Sequence, residues 1–153
     1  MQTIAELTAE SHDFAGLESR YVELIAGCGA TAHFRPGERL FRTGEPAERF
    51  YLVRHGTVAL ELYAAGHQPL TIQTLDDGEI AGFSWLFEPY QWMFDARAVA
   101  ETSAIAFDAV CLRGKCEADH ELGYQLMRRF AGIALGRLQA TRLQLLDVYG
   151  RAG

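Results

Sequence analysis

The feature that most constrains the fold is a series of turn signals spaced closely along residues 30–108. The signals include RPG at 35–37, TGEP at 43–46 and DDG at 76–78, and short runs of alternating apolar and polar residues lie between them. Glycine, proline and aspartate favour turns, and turns that recur about every 8–12 residues leave room only for short strands. This segment therefore predicts a small antiparallel sandwich or barrel and excludes a long helix.

A helical pattern precedes this β segment, over residues 3–29. Apolar residues recur there at near-helical intervals, no proline interrupts them, and Gly27 follows the last of them. We predict one helix over about residues 3–26, with Ser11 or Asp13 capping a second turn.

The C-terminal segment, residues 109–150, contains a long helix without proline from about residue 119 to 149. One of its faces repeats apolar or small residues in steps of four and three, the spacing of a heptad seam. We interpret this seam as a homodimer interface; the alternative is a helix that lies wholly on its own domain. About 30 helical residues span about 45 Å, so we expect the helix to project beyond the β unit. The seam consists of Met127, Ala131, Ala134, Leu138, Thr141, Leu145 and Val148, and a second stripe, which faces the β unit, consists of Leu122, Leu126, Phe130 and Ile133.

Length and composition indicate one acidic domain. The chain has 153 residues and a net charge of −6, so a basic footprint for nucleic acid is absent. No apolar run reaches the roughly 18 residues that span a membrane, and the first residues lack the basic and apolar regions of a secretory signal. Three cysteines, an odd number without a C-x-x-C pair, suit the reducing cytosol. We therefore expect a cytoplasmic protein without membrane contact.

Residue patterns for catalysis or metal binding are missing from the sequence. It has no G-x-S-x-G, P-loop or H-E-x-x-H motif, and its five histidines lie singly, without a second ligand at metal spacing. We predict neither an enzyme nor a metal site.

The order of the parts, a short helix, a β-roll and a long C-terminal helix, resembles the cyclic nucleotide-binding domain. This family includes the catabolite activator proteins, the regulatory subunits of cAMP-dependent kinase and the cyclic-nucleotide-gated channels. Residues 34–62, FRPGERLFRTGEPAERFYLVRHGTVALEL, carry the resemblance best through F-x-P-G, the G-E-x-A turn and FYLV-x-x-G-x-V. The resemblance covers nearly the whole chain and implies a single domain, 1–153. Its implied class is mainly β: an antiparallel double-stranded β-helix of the jelly-roll type, with an N-terminal helix and a long C-terminal dimerisation helix.

In that family a phosphate-binding cassette holds the ligand. A short helix offers backbone N–H groups to the cyclic phosphate, an arginine neutralises it, and a glutamate holds the ribose hydroxyl. The matching segment here keeps Gly82 and Ala96, but Phe83 stands at the glutamate position, and Phe94 and Asp95 stand at the arginine-containing pair. An aspartate repels a phosphate, and burial of a phosphate without a cation or several N–H donors costs several kcal/mol.

Arg97 is the cation closest to these positions in the sequence. Two interpretations stay open: Arg97 turns inward and anchors an anion, or it lies on an outer strand face and pairs with Asp95, with which it shares that face by alternation. The resemblance also places Thr141 and Arg142 where the family's dimer helix caps the purine. The candidate ligand site is therefore Gly82, Phe83, Ser84, Trp85, Phe94, Asp95, Ala96, Arg97, Thr141 and Arg142.

The cassette is rich in aromatic residues, which leaves three structural roles open. The aromatics fill the vacated phosphate site, form a pocket for a cyclic nucleotide or another small effector, or present a patch to a protein partner. They are Phe83, Trp85, Phe87, Tyr90, Trp92 and Phe94.

From these patterns we predict a homodimeric regulatory or sensor module with an unidentified small effector. The alternative is a non-sensing interaction or scaffold module whose pocket is filled by its own aromatics. In transcription factors of this family a helix-turn-helix module follows the dimer helix, and this sequence ends at Gly153. We therefore expect no direct DNA binding.

Overall fold

The structure is a computed structural model that describes residues 1–152, the last two as helical backbone only. Within that range the strands are β1 (Gly29–Phe34), β2 (Arg39–Phe41), β3 (Arg49–His55), β4 (Val58–Leu62), β5 (Leu70–Leu75), β6 (Ile80–Ala81), β7 (Asp95–Ala98) and β8 (Thr102–Asp108). The helices are α1 (Ile4–Glu10), α2 (Ser19–Ala26), α3 (Ala109–Ala118) and α4 (His120–Ala152), with one 3₁₀ turn at Ser84–Leu86. The strands form two four-stranded antiparallel sheets, ordered β1-β8-β3-β6 and β2-β7-β4-β5. The predicted fold class is confirmed. β6, with two residues, is too short to show an alternating pattern in the sequence.

The core lies between the two sheets because the strands alternate buried and outward side chains. On β7, Ala96 is fully buried, whereas Arg97 points to the opposite face and is partly exposed. Aromatic rings fill part of the core: Phe50 stacks on Phe107 with ring centroids 4.9 Å apart and on Trp85 at 4.5 Å. Each such ring pair contributes about 0.5–1.5 kcal/mol beyond the burial of its surface.

The N-terminal segment is two helices, and the prediction of one helix over residues 3–26 is wrong. α1 ends at its C-cap Ser11, and α2 begins after Glu18, which makes no side-chain cap. Between the helices, the buried Asp13 carboxylate accepts a hydrogen bond at 2.8 Å from the N–H of Ile80. Gly16, also between the helices, has a φ of +84°, which an α-helix does not allow, so the helix breaks there and the Asp13 bond fixes the connecting segment on β6.

α4 buries one stripe of side chains and exposes the other. Leu122 and Leu126 are fully buried and Phe130 is 3% exposed, so the face predicted to pack on the β unit does so. The seam residues are all exposed in the single chain; Leu138 is 46% exposed. Every described side chain from residue 138 to 150 is exposed, which means that α4 projects beyond the β-roll as its length predicts.

Two of the three cysteines are paired in the structure, which the sequence analysis did not predict. Cys28, just after α2, forms a disulfide with Cys111, in the first turn of α3, and their Cα atoms are 6.0 Å apart. The two positions are 83 residues apart in the sequence, so only the fold brings them together. Cys116 is a free thiol, and its burial, with the nearby acidic charges of Glu117 and Asp119, raises its pKa.

Candidate functional site

Gly82, the first residue of the candidate ligand site predicted from the sequence, is covered by an indole ring. Gly82 follows β6 with φ of +107°, a conformation that favours glycine. A Cβ atom at Gly82 would lie 2.5 Å from Cη2 of Trp92, so the ring lies directly against the glycine backbone. Trp92 is only 3% exposed and stacks on Phe41 with centroids 3.8 Å apart and planes 11° from parallel. No phosphate fits between Gly82 and this ring as they stand.

Backbone hydrogen bonds hold the Trp92 ring in this place. The Trp92 N–H donates to the carbonyl of Glu45 at 3.0 Å, and its carbonyl accepts from the N–H of Gly44 at 2.7 Å. Nearby, the N–H of Ala47 donates to the carbonyl of Tyr90 at 2.6 Å. The loop before β7 is therefore fastened to the turn after β2, which fixes the ring over Gly82.

Two phenylalanines of the predicted ligand site, Phe83 and Phe94, pack against other aromatic rings. Phe94 lies beside Phe41 with ring centroids 5.9 Å apart. Phe83 faces α4 instead: its ring is 5.6 Å from that of Phe130, and the guanidinium of Arg137 lies 4.9 Å from the Phe83 centroid. The surroundings of Gly82 are therefore aromatic, and α4 places the Arg137 guanidinium over the Phe83 ring.

The outward face of β7 carries Arg97 and Asp95, each paired with a different partner. Arg97 makes a two-pronged pair with Glu61, Nε to Oε1 and Nη2 to Oε2 both at 3.0 Å. Asp95 accepts from Nε of Arg39 at 2.9 Å and from the N–H and hydroxyl of Thr43, both at 2.8 Å. The predicted Arg97–Asp95 pair is therefore wrong, because strands β4 and β2 flank β7 and supply closer partners.

The pKa values of this outward cluster follow from these bonds. The hydrogen bond with Glu61 raises the pKa of Arg97, which stays a cation committed to that carboxylate. Burial alone would raise the pKa of Asp95, but the bonds from Thr43 and Arg39 outweigh it and hold that pKa below its ordinary value. The cluster is a closed set of charge pairs on the sheet surface rather than an anion site.

Trp85 and Ser84, also predicted as pocket residues, form the 3₁₀ turn after Gly82. Trp85 is fully buried between Phe50 and Phe130, the latter ring 5.5 Å away. Its carbonyl accepts a hydrogen bond from Arg113 at 2.7 Å, and its indole N–H is buried without a hydrogen-bond partner among the described residues. Trp85 therefore contributes to the core more than to a pocket surface.

Thr141 and Arg142, the predicted purine-capping pair, are both exposed on α4. The Thr141 hydroxyl donates to the carbonyl of Arg137 at 3.0 Å, and Arg142 lies 3.5 Å from Oε1 of Gln139. These bonds stay within α4, so in the single chain the structure does not bring the pair together with the cassette.

Arg137, which the sequence analysis did not select, joins α4 to the cassette. Its Nη2 donates to the carbonyl of Ile80 at 2.5 Å and lies 3.5 Å from Oδ2 of Asp13. Burial lowers the pKa of Arg137 against the opposing charges of Asp13 and Glu79. A signal was available, because the buried stripe of α4 continues by one helical step from Ile133 to Arg137.

An open groove lies between α4 and the N-terminal half of the fold. Its cavity volume is about 740 Å³. Its polar lining includes Gln73, Gln125, Arg128, Arg129 and Arg137. Asp13 and Glu79 also line the groove, so it opens beside the start of the cassette segment.

Membrane-spanning helices and metal-ligating clusters are both absent from the described residues. None of its helices combines the length and the apolar character needed to cross a bilayer. Within residues 1–152, no group of three or more His, Cys, Asp or Glu side chains is placed to hold a metal ion.

Known proteins resemble this chain in sequence and in fold. The family model of the cyclic nucleotide-binding domain matches residues 31–119. A CRP-like cAMP-activated global transcriptional regulator from Mycobacterium tuberculosis is 24% identical over 143 residues, which are 94% of this chain and 62% of that protein. This chain therefore spans less than two thirds of the length of that relative.

Two solved structures share the architecture. A protein from Geobacter metallireducens described as cyclic nucleotide-binding is 28% identical and superposes with a TM-score of 0.78, over 90% of this chain and 99% of that one. A c-di-GMP-responsive global regulator from Xanthomonas campestris is 15% identical with a TM-score of 0.73, over 86% of this chain and 65% of that one. The second likeness concerns the fold alone.

Proposed function

We propose, from the premise that this chain belongs to the cyclic nucleotide-binding domain family, that it is a homodimeric regulatory module whose ligand position is filled by its own side chains. The module acts through protein contacts made by α4 and its surroundings. The observation that carries the proposal is the ring of Trp92, which lies against Gly82 and stacks on Phe41 at 3.8 Å.

Electrostatics supports the same proposal. A bound cyclic phosphate carries a full negative charge and needs a cation or several N–H donors. Arg97 could serve only by leaving Glu61, whose side chain is 5% exposed, without its partner. A buried carboxylate that loses its hydrogen bonds costs roughly 1–3 kcal/mol, and the pair is partly screened because Arg97 itself is 31% exposed. A nucleotide would also have to displace the Trp92 ring. The loss of the Arg97–Glu61 pair and the displacement of the ring therefore both oppose binding.

Calorimetric titration with cAMP and cGMP tests the filled position. We expect no heat and no change in melting temperature at ligand concentrations where a specific ligand, at about a hundredfold excess over its Kd, would add about 2.7 kcal/mol of stability. One-to-one binding of either nucleotide that Arg128→Ala leaves unchanged would refute the proposal, because such a ligand does not occupy the groove lined by Arg128 and requires the ring to leave Gly82.

A second candidate function, the sensing of a small effector, is favoured by the groove beside α4. Its volume of about 740 Å³ is within the range of small-molecule sites, and three arginines line it. The related regulators named above respond to cAMP or to c-di-GMP by their descriptions, so one fold serves different effectors. An effector in this groove would contact Arg137 and act directly on the bond between α4 and Ile80. A screen with cAMP and c-di-GMP separates this candidate from the first. It compares the rise in melting temperature of the wild type with that of Arg128→Ala. Only a ligand bound in the groove should lose its effect on the melting temperature in that variant.

The homodimer rests on the exposed seam of α4. Its large apolar members are 43–62% exposed in the single chain and repeat at heptad spacing; they are Met127, Leu138, Leu145 and Val148. A second copy of α4 would bury them by knobs-into-holes packing. We propose that this copy is the occupant of the seam.

Leu138→Glu tests the homodimer by placing a carboxylate in the seam of each copy. Because a buried unpaired charge is strongly unfavourable, we expect the dimer Kd to rise at least a hundredfold, about 2.7 kcal/mol. Sedimentation should report twice the chain mass for the wild type and the single-chain mass for the variant. Gln139→Glu, on the exposed neighbouring residue, carries the same added charge and should stay dimeric. A monomeric wild type would contradict the seam interpretation.

We place this activity in the cytoplasm, without catalysis and without direct DNA contact by residues 1–152. The net charge of −6 supports the absence of direct DNA contact, because proteins bind the DNA backbone through positively charged side chains. The Mycobacterium tuberculosis and Xanthomonas campestris proteins are described as regulators, which supports the proposal that the chain does not catalyse a reaction.

A further inference from the structure

The junction between the N-terminal segment and α3 carries a pair of sulfur atoms. Cys28, 8% exposed, lies just after α2, and Cys111, partly exposed, lies in the first turn of α3. Their Cα atoms are 6.0 Å apart, a separation at which a disulfide forms without movement of the backbone.

Other bonds hold the same junction without the sulfurs. The N–H of Asp108 donates to the carbonyl of Cys28 at 2.9 Å, and Nζ of Lys115 donates to the carbonyl of Leu24 at 2.7 Å. Arg20, on α2, pairs with Asp119 at 2.6 Å. Because these bonds need no disulfide, the two thiols would stay close together when the bond is reduced. A junction that persists in both states favours reversible closure of the bond.

We infer that Cys28 and Cys111 form a reversible redox site that cross-links the N-terminal segment to α3 when the protein meets a peroxide. Disulfides of proteins in reducing compartments are usually transient and often act in sensing. The partly exposed Cys111 is the thiol that an oxidant can reach, and Cys28 lies within bonding distance of its sulfur.

The chemistry needs one peroxide and one dithiol. The Cys111 thiolate attacks the peroxide: an S–O bond forms, the O–O bond breaks, and hydroxide leaves a sulfenic acid on Cys111. The Cys28 thiolate then attacks that sulfur: the S–S bond forms and a second hydroxide leaves. The two thiol protons convert both hydroxides to water, so two thiols and one hydrogen peroxide give one disulfide and two waters. A dithiol reductant reverses the step by exchange and returns two electrons and two protons.

Cys116 does not take part in this cycle. Its burial and the neighbouring acidic charges raise its pKa, so less of it is present as the reactive thiolate. The structure leaves it as a free thiol, which makes Cys116→Ser a matched control for the pair.

Closure of the bond constrains the base of α4. α3 ends at Ala118 and α4 begins at His120, with only Asp119 between them. A covalent link to α3 therefore restricts the start of the proposed dimer helix, whereas reduction leaves only non-covalent bonds at that place.

Thiol counting on the full-length protein tests the redox site. In excess reduced glutathione we expect three thiols per chain after denaturation, one after a hydrogen peroxide pulse, and three again after a dithiol is added. Mass mapping of the oxidised chain should find the Cys28 and Cys111 peptides joined within one chain. Cys116→Ser should lose only the unreactive thiol, and Cys28→Ser and Cys111→Ser should form no intrachain link.

The reactivity and its structural effect have separate readouts. Three thiols after peroxide, a link that involves Cys116, or a bond that persists in reduced glutathione in the folded protein would each overturn the inference. Backbone amide exchange of residues 109–115 should be several-fold slower in the oxidised wild type than in the reduced one, and this difference should vanish in Cys28→Ser. Equal exchange in both states would show that the bond does not constrain α3.

Discussion

Replacing Trp92 with alanine removes the ring that covers Gly82 and leaves a cavity there. The ring is 97% buried, since Trp92 is 3% exposed. A tryptophan of this kind buries roughly 200 Å², which at about 25 cal/mol per Å² corresponds to about 5 kcal/mol as an upper bound. Measured large-to-alanine changes of this type cost about 3–5 kcal/mol, a large part of a total stability of about 5–15 kcal/mol. We therefore expect Trp92→Ala to lower the free energy of unfolding by about 3–5 kcal/mol.

Urea denaturation followed by circular dichroism measures this change. The midpoint should fall with the denaturant slope unchanged, because the amount of surface exposed on unfolding stays nearly the same. Met93→Ala is the control: Met93 is adjacent in sequence but 74% exposed, so its change should stay within about 0.5 kcal/mol. A decrease in the free energy of unfolding of less than about 1 kcal/mol in Trp92→Ala would refute the argument, because removal of a ring buried against Gly82 and Phe41 should cost more than that.

Three further perturbations test other parts of the structure. Phe130→Ala removes the α4 ring that meets Phe83 and Trp85 at 5.6 and 5.5 Å, and we expect a loss of about 3–5 kcal/mol in urea denaturation; an unchanged midpoint would mean that α4 does not pack there. Because the pKa of Asp95 is lowered in the folded state, its contribution is present above the ordinary pKa of about 4 and is lost as the pH falls through the folded value. Asp95→Asn should therefore be less stable than the wild type at neutral pH, with a difference that shrinks in acid, and a difference that does not change with pH would contradict the bonds from Thr43 and Arg39. Arg137→Met keeps much of the side-chain length but loses the bond to Ile80, and it should lower stability by roughly 1–3 kcal/mol.

The sequence predicted the strands well because their signals are local. The turns around Gly37, Gly44 and Gly78 are marked by residues that favour them, and these three glycines have positive φ in the structure. The buried stripe of α4 was equally local, since helical periodicity selects Leu122 and Leu126 directly. The break between α1 and α2 also has a local signal, Gly16 with positive φ, which the helical periodicity on either side of it hid, whereas the bond between Asp13 and Ile80 depends on the fold.

The site was less predictable than the fold because pairing partners depend on strand register. Alternation correctly put Arg97 and Asp95 on one face, but only the position of β4 beside β7 reveals that Glu61 is the partner of Arg97. The same limit applies to Trp92. Its sequence position shows an aromatic loop, whereas its contact with Gly82 depends on how that loop folds over the turn after β2.

The position of the Trp92 ring has one consequence for how the regulatory response of the protein can vary. A diffusible signal rises and falls in abundance, and occupancy of its receptor follows. The Trp92 ring, in contrast, is part of the same chain as Gly82, so every copy of the chain carries one ring for each position that the ring covers. Under the proposed function, occupancy of the site is therefore constant, and the response depends on the number of copies of the chain and on the partners that α4 contacts.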